Sequence, residues 1–89
     1  MTIIVNKCYG GFQIPEEFAK AHGYDIYDTI DRTDTDLVDF VMKRGGRVKF
    51  GYAHLVATNI PDNCTDWDIQ EYDGVERVIY VVNGKIHYA

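Results

Sequence analysis

The chain opens on Ile3-Ile4-Val5, an unbroken β-branched run after Thr2, which predicts a short buried strand. A helix is predicted from Pro15 to His22, with Phe18 and Ala21 as its apolar edge and Ala19 extending it. Pro15 suits the first helical position, Glu16 and Glu17 suit the first turn, and Gly23 suits the residue just past the end. From Tyr24 to Ile30 the pattern turns to period two, and a second strand is expected there, although neither face is cleanly apolar. Thr33 and Asp36 have the spacing of a capping box. Leu37, Val38, Phe40 and Val41 then follow helical spacing, so a helix is expected over residues 34–44, stopped by Gly45-Gly46. Arg47–Phe50 and Ala53–Ile60 read as strand broken near Gly51, and Pro61-Asp62-Asn63 as a turn. Asp66–Tyr72, Val75–Val82 and Lys85–Tyr88 are strand-like runs joined by Asp73-Gly74 and Asn83-Gly84, both hairpin-turn dipeptides. The sum is an α+β class chain, one domain over residues 1–89. Two short helices are expected to pack on a mainly antiparallel sheet with a C-terminal β-meander. The last strand has few partners in sequence and is expected at an edge, where it would pair with another subunit.

Between the first strand and the first helix lies Asn6-Lys7-Cys8-Tyr9-Gly10-Gly11-Phe12. A glycine-bearing loop in this position presents backbone N–H groups to an anion. Lys7 would add a point charge, and Tyr9 and Phe12 a stacking ring. The competing reading is a plain chain turn, with Tyr9 and Phe12 in the core. The spacing matches neither the P-loop nor the dinucleotide fingerprint, and Glu16 and Glu17 would repel a phosphate at that helix end.

At 89 residues the core is modest, and stability is expected to be a few kcal/mol, on the order of the usual marginal value. Seven tyrosines, four phenylalanines and one tryptophan help to fill it; any surplus suits a ligand pocket or an oligomer interface. The formal net charge of −5 argues against non-specific nucleic-acid binding and against an anionic membrane surface. Two cysteines, Cys8 and Cys64, make no disulfide framework. With no signal-peptide pattern and no transmembrane-length run, a cytoplasmic protein with reduced thiols is expected.

Six aspartates crowd the middle: Asp25, Asp28, Asp31, Asp34, Asp36 and Asp39. A divalent-metal or carboxylate-pair site is one reading; caps and solvated faces are the other, and the spacing is not an EF-hand. Lys43, Arg44, Arg47 and Lys49 form the one basic cluster, either as helix-end charge and an exposed strand face or as an anion contact complementing Lys7. Arg32, inside the acidic run, would be an ion-pair partner or a bidentate phosphate ligand. Cys8 next to Lys7 is either a reactive thiolate or a small packed residue. His22, His54 and His87 have no zinc spacing and sit in no catalytic motif. No motif requires a cofactor.

The opening Asn-Lys-Cys-Tyr-Gly-Gly-Phe motif resembles that of a family of small, mostly uncharacterised phage and prophage proteins. The similarity continues at Ile30-Asp31-Arg32, Asp34, Asp36-Leu37-Val38, Asn59-Ile60-Pro61-Asp62 and Glu71-Tyr72-Asp73-Gly74. The chain departs at Gln13-Ile14-Pro15, where the family has a serine-type cap, and at its tail, where the family has a basic end bearing a Trp. The resemblance implies a phage setting and, by association, counter-defence. Three functions follow. The first is a non-enzymatic binder of a small anionic nucleotide-like ligand, acting as a sponge for a cyclic-nucleotide or ADP-ribose-type immune signal. Its candidate ligand-binding residues are Asn6, Lys7, Cys8, Tyr9, Gly10, Gly11, Phe12, Arg32, Arg47, Tyr72 and Asp73, in a protein expected to form a homo-oligomer. The second is a protein–protein inhibitor or acidic nucleic-acid mimic. The third, a small hydrolase, lacks a readable nucleophile, base and orienting group.

Overall fold

A computed structural model describes residues 1–89. Its first strand, β1 (Thr2–Asn6), is buried from Ile3 through Asn6. The reason is that β1 is a wall between two cores. Ile4 joins Ile14, Phe18, Leu37, Val41 and Leu55 on one side. Ile3 and Val5 join Ile60 and Val78 on the other. A strand buried on both faces needs a continuous apolar run, and each of these side chains contributes about 1.5–3 kcal/mol by burial.

Two helices cover the first core. In α1 (Glu16–His22), Pro15 is the N-cap and Gly23 ends the helix in the left-handed region at φ 75°. In α2 (Thr35–Met42), Leu37 and Val41 face the core. The cap of α2 is Asp34, one residue later than the Thr33 expected, because the Asp34 carboxylate accepts the Leu37 N–H at 3.0 Å. The helix also stops at Met42, earlier than Arg44.

The strand expected from Tyr24 to Ile30 does not form. Its aspartates compete with any sheet ladder: Asp28 accepts the Asp25 N–H at 2.8 Å, and Asp25 accepts the Tyr27 N–H at 2.9 Å. Ile26 and Ile30 still pack against the first core, from an irregular segment.

The remaining strands are β2 (Arg47–Phe50), β3 (Ala53–Asn59), β4 (Asp66–Tyr72), β5 (Val75–Val82) and β6 (Lys85–Tyr88). They divide into two antiparallel three-stranded sheets, ordered β1-β3-β2 and β4-β5-β6, rather than one. The α+β class and the C-terminal meander are as expected. β5 lies against β1, and Val78 seals the second core from the meander's side. The N-terminal ammonium bonds Asp62 at 2.6 Å and holds its exposed carboxyl below the usual carboxylate range, by hydrogen bond first and charge second. No helix is long and apolar enough to cross a membrane.

Candidate functional site

β1 is an edge strand in its sheet, so the N–H groups of Ile4 and Asn6 point away from β3. Both are satisfied from outside the sheet. Ile4 donates to the Arg32 carbonyl at 2.8 Å, and Asn6 donates to Glu76 Oε1 at 2.7 Å. The Glu76 carboxylate also takes a two-pronged pair from Arg32, at 2.5 and 2.8 Å. This pair is largely withdrawn from water: the Glu76 side chain is 8% exposed and that of Arg32 20%. Arg32 further lies over the Phe12 ring at 3.6 Å. Its charge is thus matched within the fold, by a residue of β5 rather than by the acidic run.

Asn6 is fully buried, and its amide ties three segments together. Nδ2 donates to the Cys8 and Gly74 carbonyls, both at 2.7 Å, and Oδ1 accepts the His54 N–H at 2.8 Å. The glycines here serve close approach. A Cβ on Gly10 would overlap Tyr52, and one on Gly74 would lie 2.5 Å from the Tyr9 carbonyl oxygen. Only Gly11 of the pair takes a positive φ, 85°. The loop is therefore clamped between the β2–β3 and β4–β5 turns.

What that clamping leaves outside is a cleft of about 740 Å³. Lys7 and Tyr9 line it from the loop; Glu71, Tyr72, Val75 and Arg77 line it from the β4–β5 hairpin. Tyr9 is 76% exposed and Tyr72 79%. Lys7 Nζ donates to the Glu76 carbonyl at 2.7 Å, which fixes the ammonium beside the cleft with further N–H groups to spare. Arg77 Nε bonds Gln70 at 2.9 Å, and its guanidinium stacks over Tyr88 at 4.3 Å. Of the two acids lining the cleft, Glu76 is neutralised by Arg32, and Glu71 accepts the Gly74 N–H at 2.6 Å.

Among the sequence candidates, the structure brings together Lys7, Tyr9 and Tyr72 on this cleft. Asn6, Gly10, Gly11, Phe12 and Arg32 do not line it; Asn6, Gly10 and Gly11 hold the loop in place, and Arg32 packs over Phe12 and pairs with Glu76. Cys8 is half-buried, and its carbonyl accepts from Asn6. Asp73 sits in the turn at φ 51°. Arg47 lies on β2, which β3 separates from β1, and it does not line the cleft. The other basic residues are engaged elsewhere: Lys43 with Asp39 at 2.9 Å, and Arg44 with Glu17 at 3.2 Å. No three acidic, histidine or cysteine side chains are grouped so as to hold a metal ion.

Sequence reasoning passed over Glu76 and Arg77. A signal for Glu76 was present: it is a charge two residues before Val78, on the same face of the most apolar strand. An inward charge there requires an inward partner. No protein-family model matches the chain, and no curated protein or solved structure gives a significant match.

Proposed function

We propose that this protein binds a small anionic ligand bearing a flat ring, of nucleotide type, and holds it without chemical change. In a phage setting such a protein is a sponge that sequesters a cyclic-nucleotide or ADP-ribose-type immune signal. The observation that carries the reading is the cleft between Tyr9 and Tyr72, with Lys7 and Arg77 beside it. Its volume falls within the range of about 300–1,000 Å³ usual for small-molecule sites. Two exposed tyrosines on close-packed turns offer ring faces at low entropic cost, and two cations with unspent N–H groups offer charge for a phosphate.

The test is a thermal-shift screen against cyclic mononucleotides, cyclic dinucleotides and ADP-ribose derivatives, followed by chromatography of the ligand released on heating. Saturation at about a hundred times Kd adds roughly 2.7 kcal/mol, which for this size is on the order of ten degrees or more. Tyr9→Ala and Tyr72→Ala should abolish the shift while leaving the unliganded Tm nearly unchanged, since both side chains are exposed. Intact ligand recovered supports sequestration. An altered ligand replaces it with an enzyme, and no shift across the panel overturns the reading.

A further inference from the structure

Four strands form the outer edges of the two sheets, and three of those edges are blocked. On β1 the outward N–H groups of Ile4 and Asn6 are taken by the Arg32 carbonyl and the Glu76 carboxylate. β2 carries exposed Arg47 and Lys49, charges that resist strand addition. On β4, Asp66 accepts the Trp67 N–H at 2.9 Å and Asp68 accepts the Ile69 N–H at 2.8 Å, so that edge is filled by its own side chains. β6 carries a single exposed lysine, Lys85, at its first residue, and no group of the fold takes up the N–H of Ile86 or Tyr88 further along. The strand pairs only with β5, and all its residues are exposed, Ile86 at 64% and Tyr88 at 57%.

We propose that β6 is a homodimerisation edge, on which a second copy of this chain adds its own β6 antiparallel across a two-fold axis at His87. This inference is independent of the ligand reading. It rests on which backbone groups face outward. Ala89 N–H bonds Val78 in the ladder with β5, so by alternation Lys85 and His87 also face β5, and Ile86 and Tyr88 turn their N–H and carbonyl groups outward. Antiparallel pairing about His87 sets Ile86 opposite the partner's Tyr88, and Tyr88 opposite the partner's Ile86. All the outward groups of both residues are then satisfied.

The side chains suit the same register. Ile86 and Tyr88 share the outer face with Val81 and Ile79, their cross-strand neighbours. Each isoleucine would meet a tyrosine, a favourable β-branched–aromatic pair made twice. The two Lys85 ammonium groups would lie at opposite ends of the new ladder, apart from each other. The self-complementary register is the one in which the outward hydrogen-bonding positions match, and a two-fold contact needs just that. Four residues per copy make a small interface, so the dimer should dissociate on dilution.

Sedimentation velocity from low micromolar to high micromolar protein tests this. The expected result is a monomer that passes to a species of doubled mass as concentration rises. Ile86→Pro removes an outward N–H and leaves the β5 ladder in place, so it should stay monomeric and folded by circular dichroism. Tyr88→Pro, in the last residue of the strand, is the second variant should the first disturb the hairpin. In a Cys8→Ser/Cys64→Ser background, His87→Cys should oxidise to a covalent dimer and Ile86→Cys should not. A wild-type protein monomeric throughout overturns the proposal. So does a dimer that survives both proline variants, or cross-linking through Ile86→Cys in preference to His87→Cys.

Discussion

Asn6 makes four hydrogen bonds to four different residues, and one of its partners, Glu76, also receives Arg32. A buried carboxylate is tolerable here because each oxygen is matched, and no buried side-chain nitrogen or oxygen is left without a partner. The arrangement sets up a direct prediction. Glu76→Gln keeps the shape but leaves the Arg32 charge unmatched, and should cost about 3–5 kcal/mol by urea unfolding. Adding Arg32→Met should recover part of that loss, because the orphan charge is gone. If the double variant is weaker than Glu76→Gln alone, Arg32 contributes mainly through the Phe12 ring and the hydrogen bond its Nη1 donates to the Ile4 carbonyl at 3.4 Å, rather than through its ion pair. At this scale the sequence was half legible. The loop Asn6 to Phe12 stood out, yet nothing local distinguished the buried Asn6 from the exposed Tyr9. That difference is set by Glu76 and Gly74, about seventy residues away.

Secondary structure was legible wherever a local chemical signal dictated the backbone. Asp73-Gly74 and Asn83-Gly84 each take positive φ at both positions, the geometry of a tight hairpin turn, and they place β4, β5 and β6. The Tyr24–Ile30 segment has the period-two pattern of a strand but does not form one, because Asp25 and Asp28 offer the backbone local acceptors. The start of α2 gives a prediction at this scale. Asp34→Ala should cost about 1 kcal/mol in chemical denaturation, as loss of a side-chain cap does, and Thr33→Ala should cost only a few tenths. The reverse order would restore Thr33 as the cap.

Across the whole molecule, β1 is common to both cores, so releasing it requires both to open. Hydrogen exchange followed by NMR should therefore find the slowest amides in β1 and in its β3 partner. The amides of Ile86 and Tyr88 should be among the fastest in dilute protein, since they face outward from an edge. If β4 and β5 outlast β1, the meander is the more stable unit and β1 is not the common wall. The clamped loop at the end of β1 inherits this rigidity, and it is what holds Tyr9 and Lys7 over the cleft.

By itself the sequence determined the α+β class, the meander, both hairpin turns, the position of each helix to within a few residues, and a chemically conspicuous loop. Each depends on neighbours in the chain: turn dipeptides, caps and periodicity act over a few residues. Only the tertiary structure decided that the strands divide into two sheets, that β1 is their shared wall, and that Arg32 is spoken for by Glu76. It also decided that Arg77 joins Lys7 at the cleft and that β6 is left open. These are contacts between residues far apart in the chain, chosen by burial and by the need to match each buried polar group.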